Sequence, residues 1–170
     1  MSNGHTSLAP ATRQTSSNGQ GNLGGALRYS FRLTSIYPRL VLAPGVMGEL
    51  HYGVRPTYIP NSPGWFRGVM NRRGALVPIF DVTLWLSLGR DPSKDRRGVL
   101  LFDSAPKMAG IWILGEPKLV TLIENPDADR SEFPAQMQAY LTQGFESDDG
   151  PCFEFDHAAW FKLAGGRANA

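Results

Sequence analysis

From residue 27 onward the chain never sustains one apolar run for long, because Gly and Pro cut it into pieces the length of β-strands. Residues 27–33 alternate Leu27, Tyr29, Phe31 and Leu33 with polar Arg28, Ser30 and Arg32, the two-residue period of a half-buried strand. A second apolar run, 39–43, stops at Pro44 and Gly45, and 98–102, 109–114, 118–123 and 151–155 complete a series of strand-sized pieces. Many short strands with frequent turn residues imply an all-β sandwich or barrel rather than alternating β and α units. Helical pieces are short connectors. In PNSPGWFRG, Asn61 or Ser62 can cap one or two turns that begin near Pro63 and end before Gly68. Asp81 can cap VTLWLSL up to Gly89. FPAQMQAYLTQG places Pro134 near a helix start and Gly144 as a stop, and Asp156 can cap a last helix with Trp160 and Leu163 inward and Gly165 at its end.

The stretch GVMNRRGALVPIFDV, residues 68–82, carries the most local information. Asn and Gly reach left-handed backbone angles at low cost, so Asn71 to Gly74 reads as a four-residue hairpin turn between two apolar strands. Pro78 has no N–H to give a ladder and therefore belongs at an edge or a bulge. Arg72 and Arg73 are not required by the turn, and as bare residues they read as solvated charges.

Composition narrows the function classes. A chain of 170 residues with 42% hydrophobic and 19% charged residues can bury a core as one compact domain or two very small ones sharing a core. A net charge of +2, with arginines clustered no further than the pairs Arg72–Arg73 and Arg96–Arg97, is too weak a basic signal to argue for nucleic acid. Cys152 is the single cysteine, which excludes an intrachain disulfide and a cysteine zinc cluster and fits a reducing compartment. With no membrane-spanning run and no signal-peptide pattern at the start, a cytoplasmic protein is expected. Residues 1–26, rich in Ser, Gly, Asn, Thr and Gln, read as a disordered tail, leaving a domain over 27–165 and a tail over 166–170.

No catalytic, cofactor or metal site emerges from the residues. His51 and His157 lack a second ligand at metal spacing, and His5 sits in the tail. Asp156 beside His157 suggests chemistry only superficially, since no nucleophile or glycine-rich elbow accompanies the pair. Trp65, Trp85, Trp112 and Trp160 could form a stacking platform for single-stranded nucleic acid, but four spread tryptophans more often fill small cores. Trp65 and Phe66 beside Gly64 are the exception, as an exposed aromatic there would suit an interface.

The stretch GVMNRRGALVPIFDVTLWLSLG resembles the central signature of the CheW-like domain family, with Gly68, Val69, Asn71, Arg73, Gly74, Val77, Pro78, Asp81, Leu88 and Gly89 on the pattern. Arg72 departs from it, standing where the family usually has an apolar residue. Within the family, FRLTSIYPRLVLAPG and the ending FPAQMQAYLTQGFESDDGPCFEFDHAAWF resemble PilI-type adaptors of twitching and type IV pilus chemosensory systems. The resemblance implies an all-β fold of two small five-stranded β-barrels sharing a core, with short connecting and C-terminal helices and no enzymatic activity. It implies a coupling protein that bridges a CheA-type histidine kinase and a methyl-accepting chemoreceptor, in the cytoplasm at receptor arrays on the inner membrane. The partner-binding residues expected are Asn71, Arg72, Arg73, Gly74, Trp65 and Phe66, with Arg73 toward the receptor. The alternative is a small β-barrel nucleic-acid-binding module.

Overall fold

The computed structural model describes residues 5–8, 25–88, 97–103 and 107–168. The strands are β1 (His5–Leu8), β2 (Ala26–Arg32), β3 (Arg39–Val41), β4 (Gly48–His51), β5 (Phe66–Arg72), β6 (Ala75–Phe80), β7 (Arg97–Phe102), β8 (Ala109–Glu124), β9 (Leu141–Ser147) and β10 (Gly150–Phe155). The helices are α1 (Val82–Trp85), α2 (Ala135–Gln138) and α3 (His157–Ala168). Strand β8 pairs β2, β2 pairs β3, β3 pairs β10, β10 pairs β9, and β9 returns to β8, so these five strands close a ring. The first half of β8 also pairs β6 and β7, which carry β5 on one side and β4 with β1 on the other. This second unit is an open run of six strands among the described residues, one more than expected, and β8 belongs to both units.

Residues 109–114 and 118–123, expected as separate strands, are halves of one sixteen-residue strand. Gly115, at a φ of +66°, turns the intervening Gly115–Pro117 into a bulge, and the pairing with β2 jumps from Ser30↔Lys118 to Arg32↔Leu114 across it. A bulge of this kind bends a strand sharply enough for it to serve two small curved sheets.

Burial alternates in a way that explains the shared core. Along β7, Val99 and Leu101 fill the second unit while Leu100 and Phe102 point into a large common core. Along β3 and β10, Val41 and Cys152 fill the closed ring while Leu40, Phe153 and Phe155 join the same common core. Both faces of these strands are buried, each against a different cluster. Aromatic side chains dominate the common core, where Trp160 of α3 meets Phe80, Trp85 and Phe155. In such a core each ring buries area worth roughly 2–3 kcal/mol.

The alternation along β2 has a different consequence from the one its sequence suggests. Phe31 and Leu33 are buried, but Ser30 is buried as well and Leu27 is 40% exposed. The polar positions face the interior of the closed ring. There Arg39 donates through Nε to Ser30 Oγ (2.7 Å) and through Nη2 to the Ser30 carbonyl (3.0 Å), with Asp149 at 3.5 Å. Arg28 donates to the Leu42 carbonyl and to Glu154 Oε2 (2.7 Å) and lies over the Phe145 ring. Burial, aggravated by the charge of Arg32, lowers the Arg39 guanidinium from its usual value, while Asp149 opposes the shift. The closed ring is thus held partly by the buried Arg39 and the partly buried Arg28, whose loss would strand their partners.

Three more expectations are corrected. Residues 5–8 of the expected tail form β1, because Leu8 finds a buried place beside Gly48 and the backbone completes the edge of β4. Helix α2 stops at Gln138 and Leu141 opens β9; Gly144 lies within that strand, where a Cβ would stand 2.5 Å from Ala128 Cβ and 2.8 Å from the Asn125 carbonyl. Helix α3 continues through Gly165 and Gly166, past the boundary expected at 165. Asp156 does cap it, accepting the Ala159 N–H at 2.9 Å. His157, in the first turn, is buried, stacks on Phe102 and stands 3.0 Å from Asp103 Oδ2.

Candidate partner-binding hairpin

The motif residues lie on the β5–β6 hairpin. Arg72 pairs with Ala75, so the turn contains only Arg73 and Gly74, two residues fewer than expected. Their φ values are +50° and +85°, the doubly left-handed backbone of the turn type whose twist matches a hairpin. Asn71 ends the strand side of the turn, and its Oδ1 accepts the Gly74 N–H at 2.9 Å. Arg73 occupies a position that Asn, Asp or Gly normally fills, and a left-handed L-residue costs about 1–2 kcal/mol.

Pro78 sits where no ladder bond is lost. Val69 exchanges both backbone hydrogen bonds with Thr57 on the opposite side, with N to O distances of 3.0 and 2.7 Å. Val69 and Pro78 are therefore a non-hydrogen-bonded pair, and pairing of β6 with β8 begins only at Ile79. A register shift between Phe66 and Gly68 supplies the bulge beside it. The hairpin then runs into α1, where Asp81 accepts the N–H groups of Thr83 and Leu84 and gives its own N–H to the Trp65 carbonyl at 2.7 Å. That helix is one turn long, and the expected stop at Gly89 lies outside the described residues.

The two arginines have opposite fates. Arg72 binds Glu49 of β4 through both Nε (3.1 Å) and Nη2 (2.7 and 2.8 Å), with both side chains mostly buried. His51 Nε2 stands 2.9 Å from the same Glu49 Oε1, close enough to pair by charge although not aligned as a hydrogen bond. Burial alone would raise the Glu49 carboxyl, but the Arg72 hydrogen bonds and the charges of His51 and Arg72 outweigh it and hold Glu49 below its ordinary value. Arg72 therefore ties the hairpin to β4 rather than offering itself to a partner, which accounts for a charge at a usually apolar position. Arg73 is exposed, and among the described residues it forms no ion pair. Leu76, 70% exposed, lies across the ladder from Asn71.

Trp65 and Phe66 are half-buried instead of exposed. Both pack on Phe80, with centroids at 6.2 and 5.3 Å, and Phe80 in turn meets Trp160 and Phe161 of α3. The structure thus brings Asn71, Arg73 and Gly74 together at the tip and places Trp65 and Phe66 at the base. Leu76, Tyr58 and Ile59 are exposed, which the sequence does not show, since nothing there distinguishes them from core residues. No cluster suited to a metal ion is present among the described residues, and no helix there is long and apolar enough to cross a membrane.

Comparison with known proteins agrees with this geometry. The family model described as the CheW-like domain matches residues 48–159, about two thirds of the chain. The chain is 35% identical over 76 residues to Protein PilI of Pseudomonas aeruginosa, a match spanning 44% of this chain and 43% of that protein. Among solved structures, the scaffolding protein TtCheW from Thermoanaerobacter tengcongensis superposes with a TM-score of 0.60 at 17% identity, covering 83% of this chain and 90% of that one. With its Asn–Arg–Arg–Gly hairpin, its capped turn and its two units joined through one strand, the chain belongs to the CheW-like domain family.

Proposed function

We propose that the chain is a non-catalytic coupling protein of a chemosensory system that controls type IV pilus twitching motility, bridging a CheA-type histidine kinase and a methyl-accepting chemoreceptor at cytoplasmic receptor arrays. The similarity to PilI supports the pathway, and the shared fold supports a scaffold role. The observation that carries the reading is Arg73, a long cation held exposed in a left-handed turn position where folding alone favours Asn or Gly. With Arg72 held by Glu49, the hairpin end offers the exposed cation Arg73, without an ion pair among the described residues, and the exposed apolar Leu76 across the ladder from Asn71. Such a surface suits a helical receptor tip with a carboxylate next to apolar side chains. Asn71 and Gly74 set the turn, while Trp65 and Phe66 hold the hairpin base on the core.

The test is reconstitution with the CheA-type kinase and the receptor signalling tip encoded in the same genome. The full chain is expected to bring both into one complex and to make kinase autophosphorylation depend on the receptor. Arg73→Glu should weaken receptor capture at least about tenfold and spare kinase binding. Binding of neither partner, with nucleic acid retained at low salt and released at high salt, would replace this reading with the nucleic-acid module.

A further inference from the structure

The first strand has few attachments of its own. Of the four residues in β1, His5, Thr6 and Ser7 are exposed and only Leu8 is buried, so backbone pairing with β4 supplies most of its hold. It is also the outermost strand of the open unit, covering the backbone edge of β4. The register sets His5 directly opposite His51, with the two imidazoles stacked at 6.3 Å and 19°. Like charges placed directly opposite on neighbouring strands are destabilising.

We propose that β1 is a pH-sensitive strap: it closes the edge of β4 while His51, stacked beneath His5, is neutral and is released when that imidazole takes up a proton in mild acid. The groups around His51 determine the direction. Glu49 of β4 lies 2.9 Å away, but its carboxylate already receives two N–H groups from Arg72 of β5, so that guanidinium is a fixed positive charge in the same cluster. His5 faces His51 from β1, and Val99, its neighbour on β7, does not titrate. Among the described residues the cluster therefore holds one carboxylate for one guanidinium and two imidazoles. Burial, with the charges of Arg72 and His5, lowers His51 from its ordinary value against the pull of Glu49.

The sign follows from linkage. The strapped state binds fewer protons than the released state, so strapping is favoured above the ordinary imidazole value of about 6.5 and weakens as the pH falls through it. Glu49 is held below its own ordinary value and stays ionised in this window, so the Arg72–Glu49 pair persists while His51 responds. One pH unit below that value, each proton excluded by strapping raises the opening equilibrium by up to about tenfold. Release bares the backbone groups of residues 48–51, an edge able to accept another extended strand.

Hydrogen exchange of the full chain tests this, with rates corrected for the intrinsic pH dependence of amide exchange. Between about pH 7.5 and pH 5.5, protection of the amides of β1 and its partners in β4 should fall by up to about tenfold, while amides in the β7–β8 ladder keep theirs. His51→Gln should flatten most of that response, and His5→Gln, at an exposed position, should flatten a smaller part of it. Protection of β1 that is constant across this range, an unchanged response when both histidines are replaced, or a loss shared equally by β7 and β8 would each overturn the proposal. Should His51→Gln fail to fold, His51→Phe decides in its place, since it keeps an aromatic ring facing His5 and removes the titrating group.

Discussion

Alanine at Gly68 and at Gly74 should separate two reasons for glycine in one motif. Both residues have positive φ, +110° and +85°, so an added Cβ costs about 1–2 kcal/mol at either position. Their surroundings differ. A Cβ on Gly74 meets nothing within 4 Å, whereas one on Gly68 would stand 2.1 Å from the Thr57 carbonyl oxygen and 2.7 Å from its carbon. Thr57 cannot swing aside freely, because its N–H and C=O are both bonded to Val69. Forcing the two backbones apart adds about 1–3 kcal/mol, as overpacking does in a tight core. Gly68→Ala is therefore expected to cost about 2–5 kcal/mol in total and Gly74→Ala only about 1–2 kcal/mol. At roughly 2–4 °C per kcal/mol for a chain of this size, Gly68→Ala should melt about 2–12 °C below Gly74→Ala. Thermal unfolding followed by circular dichroism measures the difference. If Gly74→Ala proves as damaging as Gly68→Ala, the close approach of β5 to Thr57 is not what requires the glycine, and the account of the bulge fails.

The two arginines give a complementary pair of outcomes. Arg73→Glu should leave the melting temperature within about 2 °C, as expected for an exposed residue, whereas Arg72→Ala should cost about 1–3 kcal/mol by leaving Glu49 without its donor. Truncating the ring that joins hairpin and last helix, Phe80→Ala, should cost about 3–5 kcal/mol in chemical denaturation, and it should also loosen Trp65 as read by tryptophan fluorescence. Acid titration of global stability should show two contributions of the same sign. His51, lowered from its ordinary value, contributes stability that is lost as the pH falls below about 6.5, and Glu49, also lowered, contributes stability that is lost below about 4.3. Glu49→Gln should remove the lower contribution.

The features visible in the sequence are those decided by neighbours along the chain. The turn within Asn71–Gly74, the cap at Asp81, the cap at Asp156 and the place of Pro78 outside the ladder bonds each depend on a few adjacent residues, and each lies where residue chemistry puts it, the turn alone being shorter than expected. What was hidden depends on partners far away in sequence. Arg72 looked like a solvated charge until Glu49, twenty-three positions earlier, was found beneath it. His157 looked ordinary because Asp103 lies fifty-four positions away. The polar stripe of β2 suggested a solvent face, since nothing local shows that a ring closes over Arg28 and Ser30 and supplies Glu154 and Arg39 to satisfy them. Strand β1 was masked by its composition, because three of its four side chains gain little from burial and the edge that recruits it belongs to β4.

These long-range contacts also explain how a hairpin tip can work as a rigid contact. A two-residue turn on its own would leave Arg73 free to wander, and ordering it on binding would cost affinity. Here one strand of the hairpin is bridged to Thr57, its end is clamped by Arg72 to Glu49, and its base rests on Phe80, which also seats Trp160 and Phe161 of α3. The clamp reaches the same strand, β4, whose other edge carries β1. Removing the clamp should therefore weaken binding more than its stability cost explains. Arg72→Ala, measured well below its melting temperature where the chain is folded, should lose affinity for the receptor tip proposed to meet Arg73, even though Arg73 is unchanged. Full affinity in that variant would show that the tip needs no support from β4 and would leave the turn alone as the source of its order.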